Sequence, residues 1–171
     1  MSSILKVDTI QNTGGTTGLT IDNSGRVSTP ARPAFRAYLS GVGWRDITHN
    51  GTYKIPFDVE KYDVGGCFDT STNSFTAPIS GYYFLSITAY THDGSGVKVL
   101  ELQTGNTNVA SGESIALHQA SHLGTMQITA AHYFNANETC SAYFYQTNDV
   151  STGVYSSNNT QYSNFYGFLI G

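Results

Sequence analysis

The chain has 171 residues, of which 12% are charged and 13% aromatic, and its formal net charge is −4. That length supports one principal domain with a real core and a short appendage. A negative balance without any Lys/Arg cluster speaks against nucleic acid and anionic membrane as partners.

Gly, Ser, Thr, Asn and Tyr fill the places that Lys and Glu take in helical proteins, so the composition favours strands and turns. The N-terminal MSSILKVDTIQN lacks an apolar run of signal-peptide length, and nothing approaches the roughly 20 apolar residues of a membrane span. The expectation is a soluble chain, without membrane insertion and without secretion through a cleaved leader. The segment SILKVDTIQNTGGTTGLTIDNSGRVSTP holds short alternating pieces, Leu5 with Val7 and Leu19 with Ile21, separated by Gly14-Gly15 and by the turn Asp22-Asn23-Ser24-Gly25. Such pieces bury too little to fold alone. They either stay loose or pair with further copies as an intertwined β stalk, with Leu5, Val7, Ile10, Leu19 and Ile21 as the anchoring residues. Composition shifts at Pro30-Ala31-Arg32-Pro33, which divides the chain into residues 1–32 and 33–171.

Beyond Pro33 no segment keeps a 3.6-residue apolar period, and strand patterns follow one another between turn signals. The expected strands are Ala34 to Leu39, Tyr53 to Phe57, Gly66 to Phe75, Tyr82 to Tyr90, Val97 to Gln103, Asn108 to Ala110, Met126 to Phe134, Ser141 to Gln146 and Tyr162 to Ile170. SIALHQASH is ambiguous and reads as loop or short strand. The whole is an all-β domain, an antiparallel sandwich or jelly roll.

The densest run, FTAPISGYYFLSITAY, follows a Pro-Ile-Ser-Gly turn. Within it Tyr83, Leu85, Ile87 and Ala89 alternate with Tyr82, Phe84, Ser86, Thr88 and Tyr90, so a strand places aliphatic groups on one face and aromatic or hydroxyl groups on the other. One face fills a core. The other exposes more aromatic surface than a lone domain normally shows to water. SAYFYQT, with Tyr143 and Tyr145, and YSNFYGFLIG, with Tyr166 and Phe168, carry the same excess. These residues, with Tyr82, Phe84 and Tyr90, predict a homo-oligomer whose sheet faces meet around the symmetry axis.

Catalytic chemistry finds little support. Asp58, Glu60, Asp63 and Asp69 could supply the paired carboxylates of a glycan-cleaving enzyme, but they flank Gly65-Gly66 in the pattern of a solvated turn. His118 and His122 share a face at strand or helix spacing, which suits ordinary loop side chains better than the start of a metal site. No Gly-x-Ser-x-Gly elbow occurs, and Thr13-Gly14-Gly15-Thr16-Thr17-Gly18 lacks the lysine of a phosphate loop. Cys67 and Cys140 stand far apart without CxxC neighbours and are expected as buried free thiols rather than a disulfide. The three N-x-S/T sequons, at Asn50, Asn137 and Asn158, carry no weight in a chain this rich in Asn and Thr. No catalytic residue, metal or cofactor is expected.

PAFRA (Pro33 to Ala37), FDVEKYDVGGCFD (Phe57 to Asp69), FTAPISGYYFLS (Phe75 to Ser86) and FYGFLIG (Phe165 to Gly171) resemble, in order and spacing, the motifs of the complement-one-q-like globular head. The matching positions are Phe35, Phe57, Phe68, Phe75, Pro78, Gly81, Tyr83, Phe165, Gly167 and Leu169. Where that family usually has Gly-Asp, Asn137-Glu138 stands here, and Ser111 to His122 matches weakly. The resemblance implies the homotrimeric jelly roll shared with tumour-necrosis-factor-like cytokines. LKVDTIQNTGGTTGLTIDNSGRV resembles segments that precede such heads in virion fibre proteins of tailed bacteriophages, especially marine ones.

Together these resemblances imply a virion fibre protein, not an enzyme. Its N-terminus would attach to other phage virion proteins, and its head would bind a host cell-surface receptor, a glycan or a protein. Alternatives are a capsid- or tail-decorating structural protein and a secreted lectin-like or cytokine-like head. In the implied jelly roll the loops Thr91 to Gly96, Ser111 to Ser121 and Asn148 to Thr160 project away from the chain ends. The last carries Tyr155 among small polar residues, a mixture resembling paratope chemistry. The receptor-binding candidates are Tyr155, Asn148, Asp149, Asn158 and Asn159, with His92, Asp93, Trp44 and Arg45 beside them.

Overall fold

The computed structural model describes residues 4–45, 51–91, 97–105, 113–120 (backbone only), 124–147, 153–159 and 161–171. Every regular element among them is a strand. The chain divides into two compact units, Met1–Arg32 and Pro33–Gly171, at the point where the composition shifts.

The first unit is a three-stranded antiparallel sheet in the order β1-β2-β3, with β1 Thr9–Gln11, β2 Thr17–Ile21 and β3 Val27–Ser28. Short polar side chains make both turns. Asn12 Oδ1 accepts from Gly14 N at 3.0 Å and Thr16 N at 2.9 Å, and Asp22 Oδ1 accepts from Ser24 N at 2.8 Å and Arg26 N at 3.0 Å. Bonds from the Arg26 backbone and side chain hold the Asp22 carboxyl below its usual range. Register pairs Ile10 with Leu19 and Ile21 with Val27, which puts these four on one face. Leu5 and Val7 were expected in a strand and lie before β1 instead. β2 ends at Ile21, whose amide already reaches Asp8 O at 2.8 Å, so it has no residues left to pair with them.

Two antiparallel sheets build the second unit. The first contains β4 Ala34–Tyr38, β5 Val42–Arg45, β7 Val59–Val64, β10 Gly81–Thr91, β13 Gly124–Phe134, β15 Val154–Ser157 and β16 Asn164–Leu169. The second contains β6 Gly51–Lys54, β8 Phe68–Asp69, β9 Ser74–Thr76, β11 Lys98–Thr104, β12 Glu113–Ala120 and β14 Thr139–Gln146. The chain crosses repeatedly between the two, which is the jelly-roll pattern.

In the first sheet β10 is central. One edge pairs with β13 along its length, from Gly81↔Phe134 to Thr91↔Gly124. The other meets β16 over Tyr83 to Thr88 and then β15 at Thr91. Beyond these lie β4, which pairs β16, and β5, which pairs β15; β7 closes the edge on β4. In the second sheet β14 is central, between β11 and the pair β6 and β9.

The core lies between the sheets and is aromatic at its centre. Phe35 stacks on Phe68 at 5.0 Å and Phe75 at 5.4 Å and meets the edge of Phe165 at 4.9 Å. These are the phenylalanines that carried the family resemblance. The opening Pro-Ile-Ser-Gly turn also finds its reason here: Tyr83 is fully buried, and its hydroxyl donates to Ile79 O of that turn at 2.9 Å. The ring fills the core while its one polar atom stitches the turn to the strand it starts. Asn137 stands at φ 70°, a left-handed conformation that Asn tolerates better than other side chains. Both cysteines are buried free thiols, as expected.

SIALHQASH, read as loop or short strand, lies in β12 as far as Ala120, and the expected loop Asn148 to Thr160 contains β15. The acidic stretch read as a solvated turn contains β7, an edge strand whose Glu60 and Lys61 are exposed while Asp63 takes the amides of Cys67 and Phe68. β5 was not anticipated at all. Asn108 to Ala110 lies outside the described residues.

Candidate functional site

The outward face of the first sheet carries the residues that ask for a partner. Core positions Tyr83, Leu85, Ile87 and Ala89 of β10 are fully buried, so Tyr82, Phe84, Ser86, Thr88 and Tyr90 face the other way. Register places Tyr133 across from Tyr82, Phe168 across from Phe84 and Tyr166 across from Ser86. At the Gly81 end, close to the C-terminus, these rings form one cluster. Tyr82 meets the edge of Tyr133 at 5.3 Å, and Phe84 stacks on Phe168 at 5.3 Å with Tyr166 at 6.2 Å. They stay open to solvent: Tyr82 is 56% exposed, Tyr133 46% and Phe168 42%. Tyr133 was not foreseen, although its alternation with Phe134 in TAAHYF was the available signal.

Tyr90 shares this face but stands at its other end, eight residues and roughly 27 Å along β10 from Tyr82. There it stacks with Trp44 at 5.8 Å and packs against Tyr155 at 5.9 Å and Tyr162 at 5.5 Å, while Trp44 and Tyr155 meet edge to face at 4.9 Å. This end is built by the pairing of β5 with β15, in which Tyr155 is opposite Trp44 and Val154 opposite Arg45. The residue before β5 and the residue after β15 are tied together. Gly41, at φ 87°, donates from its amide to Asn158 Oδ1 at 2.8 Å and accepts at its carbonyl from Asn158 N at 3.0 Å. Ser163 Oγ adds a bridge, donating to Tyr155 O at 2.8 Å and accepting from Tyr90 N at 3.1 Å.

Of the receptor-binding candidates, Trp44, Arg45, Tyr155 and Asn158 therefore come together at one end of the unit, with exposed Asn159 next in the chain. Asn158 spends its side-chain oxygen on the fold. His92, Asp93, Asn148 and Asp149 lie outside the described residues. Tyr162, expected as the start of the last strand, stands before β16 as the exposed ring of the Trp44 cluster.

Tyr143 and Tyr145, expected at the same interface, stand apart from the other candidates. They belong to β14 of the second sheet, on its outward side, because Cys140, Ala142 and Phe144 take the core side. Tyr143 is only 7% exposed, with Lys54 Nζ above its ring at 5.9 Å. Burial lowers the Lys54 pKa and raises that of Tyr143.

Three of the four acids are committed to structure, and Glu60 is exposed. Asp63 accepts from Cys67 N at 2.9 Å and Phe68 N at 3.1 Å; Asp69 accepts from Ser71 N at 2.8 Å; Asp58 accepts from Ser40 N at 2.7 Å and meets Arg45 Nη2 at 3.4 Å. Hydrogen bonds from Ser71 hold the Asp69 carboxyl below its usual range. No His, Cys, Asp and Glu group that could hold a metal occurs among the described residues; the His118 side chain and His122 are not among them.

A two-sheet jelly roll with an aromatic outer face on one sheet defines the structural class. Residues 37–170 match the C1q domain, and the chain belongs to that family. Three solved structures are similar to it. The globular domain of zebrafish complement 1qA protein is 16% identical, with a TM-score of 0.52, covering 82% of this chain and 98% of its own. Murine APRIL is 9% identical, with a TM-score of 0.60 and coverage of 81% and 98%; Eiger TNF from S. frugiperda is 13% identical, with 0.59 and coverage of 82% and 94%. No curated protein sequence matches the chain.

Proposed function

We propose that the protein is a non-enzymatic, homotrimeric bacteriophage fibre whose residues 1–32 attach to other virion proteins and whose C1q-type head binds a host-surface receptor. The observation that carries the assembly is the aromatic cluster on one sheet face, with Tyr82, Tyr133 and Phe168 exposed beside half-buried Phe84 and Tyr166. Aromatic surface of this kind is the composition of an interface centre. Ile10, Leu19, Ile21 and Val27 on one face of the N-terminal sheet give that unit its own reason to meet further copies or a virion partner.

Receptor contact falls to the end that holds Trp44, Tyr155, Tyr162, Asn158 and Asn159. Exposed aromatic rings stack on the apolar face of a sugar, and Asn side chains meet its hydroxyls, which makes a glycan the first receptor class to test.

Light scattering of the full chain at about 10 μM is expected to give the mass of three chains of 18.5 kDa, and a monomer would refute the proposal. Purified protein is further expected to block phage adsorption when added to host cells first, and Tyr155→Ala with Tyr162→Ala to abolish that block. A secreted, ligand-like head fits family membership equally well. It predicts a trimer that leaves adsorption unchanged.

A further inference from the structure

The N-terminal sheet is strictly two-sided. Pairing of β1, β2 and β3 brings Ile10, Leu19, Ile21 and Val27 to one face and Thr9, Thr20 and Ser28 to the other, where Thr20 Oγ1 and Ser28 Oγ share a hydrogen bond. The hydroxyl face suits water. The aliphatic face does not: Ile10 is 50% and Val27 60% exposed, and Leu19 and Ile21 between them are only half-buried. Strands of three, five and two residues bury too little apolar surface to offset the ordering of the segment, so the face needs a cover. No charge interrupts it. The unit is nearly neutral, with Lys6, Arg26 and Arg32 standing against Asp8 and Asp22, so its copies do not repel one another.

The connectivity of the chain brings those copies together. β3 ends at Ser28, and β4 begins at Ala34, directly opposite Phe168 of the exposed ring cluster. Pro33 is held there too, its carbonyl accepting from Leu169 N at 3.0 Å. The six residue steps from Ser28 to Ala34 reach at most about 20 Å. Heads that meet through the ring cluster therefore keep their N-terminal sheets within reach of one another, at an effective concentration on the order of millimolar. A virion protein in free solution has no such advantage.

We propose that the face of Ile10, Leu19, Ile21 and Val27 turns to a common axis and packs on the same face of the sister copies, giving the trimer a separate aliphatic core and leaving Thr9, Thr20 and Ser28 outward. The inference rests on the trimeric reading of the head and adds what covers the N-terminal sheet: copies of this chain, not a virion protein and not the chain's own head.

Leu19 and Thr20 are neighbours on β2 that point to opposite faces, so a cysteine at either place reads the arrangement at one height. Cys67 and Cys140 are buried, which leaves the introduced thiol as the reactive one. The experiment treats full-length Leu19→Cys and Thr20→Cys with a short-span bis-maleimide and separates the products by denaturing electrophoresis, with light scattering of the untreated proteins beside it. Leu19→Cys is expected to give covalent dimers at a yield at least about tenfold above Thr20→Cys, because thiols gathered at one axis react as an intramolecular pair. Trimers in which Leu19→Cys falls short of that margin overturn this inference and leave the trimeric reading standing. A monomer overturns both. The pair Ile10→Cys and Thr9→Cys repeats the comparison on β1, where both residues are exposed within a single chain, so the outcome does not hang on Leu19→Cys folding.

Discussion

Removing both half-exposed rings of the cluster, Tyr82→Ala with Phe168→Ala, is expected to dissociate the proposed trimer. Tyr82 is 56% and Phe168 42% exposed, and an aromatic side chain of this size presents about 200 Å². Together they offer a partner about 200 Å² per protomer, which at ~25 cal/mol per Å² amounts to about 5 kcal/mol per copy. Three copies lose about 15 kcal/mol per trimer, so dissociation is expected to be complete at about 10 μM. Within the monomer the loss is smaller, because only the pairings with Tyr133 and Phe84 are broken, at about 0.5–1.5 kcal/mol each. Sedimentation reads the mass, and a melting curve shows that the head still folds. Tyr145→Ala, on the outward face of the other sheet, is the control and is expected to leave the mass unchanged. A double variant that stays trimeric at 1 μM, or a Tyr145→Ala protein that falls apart, would refute the assignment of the interface to this face.

Gly167→Ala is expected to cost about 1–3 kcal/mol, because a Cβ there would lie 2.8 Å from Phe84 O and 3.0 Å from Phe35 Cε1; calorimetry should show a lowered Tm. Cys67 and Cys140 predict alkaline lability. Burial pushes both thiols far up, so their stability contribution is whole below the unfolded thiol value near pH 8.5 and is lost as pH rises above it. The loss is about 1.4 kcal/mol per pH unit per thiol; the raised Tyr83 and Tyr143 add to it, while the lowered Lys54 opposes it. Urea midpoints at pH 8 and 10 measure it, and Cys67→Ala with Cys140→Ala should flatten the slope. Asn158→Ala removes the acceptor of the Gly41 amide, so hydrogen exchange at that amide is expected to accelerate at a stability cost of about 1 kcal/mol.

The head was legible where alternation is strict and the side chains large. Phe35, Phe75, Tyr83 and Phe165 sit in runs whose parity fixes their direction, and all four are fully buried. The missed strands fail for a different reason in each case. β5 and β15 are rich in Gly and Ser and become strands by pairing with each other across more than a hundred residues, a relation no local pattern contains. β7 reads as a charged turn because edge strands keep their charges. Tyr143 and Tyr145 show the limit of parity itself. Alternation says that a side chain leaves the core, but a sandwich has two outer faces, and only the strand order tells which one it reaches.

That strand order also separates the two aromatic ends of the first sheet. At the Gly81 end the rings pair off and three of them remain about half open to water, so much of their apolar surface is still unspent. At the Thr91 end Trp44, Tyr90 and Tyr155 are packed on one another and half-buried, and among that cluster only Tyr162 is exposed, at 47%. Between the two ends the face turns polar, with Ser86, Thr88, Gln127 and Asn164 in register across β13, β10 and β16. A symmetric partner gains most from the first end, where burial removes large apolar area from water and leaves no lone polar group. The second end gains less from a partner of the same kind, and its packed rings give a rigid base for a single exposed tyrosine beside Asn158 and Asn159. Assembly near the chain terminus and recognition roughly 27 Å away along β10 are thus the division of labour that the distribution of unspent apolar surface favours.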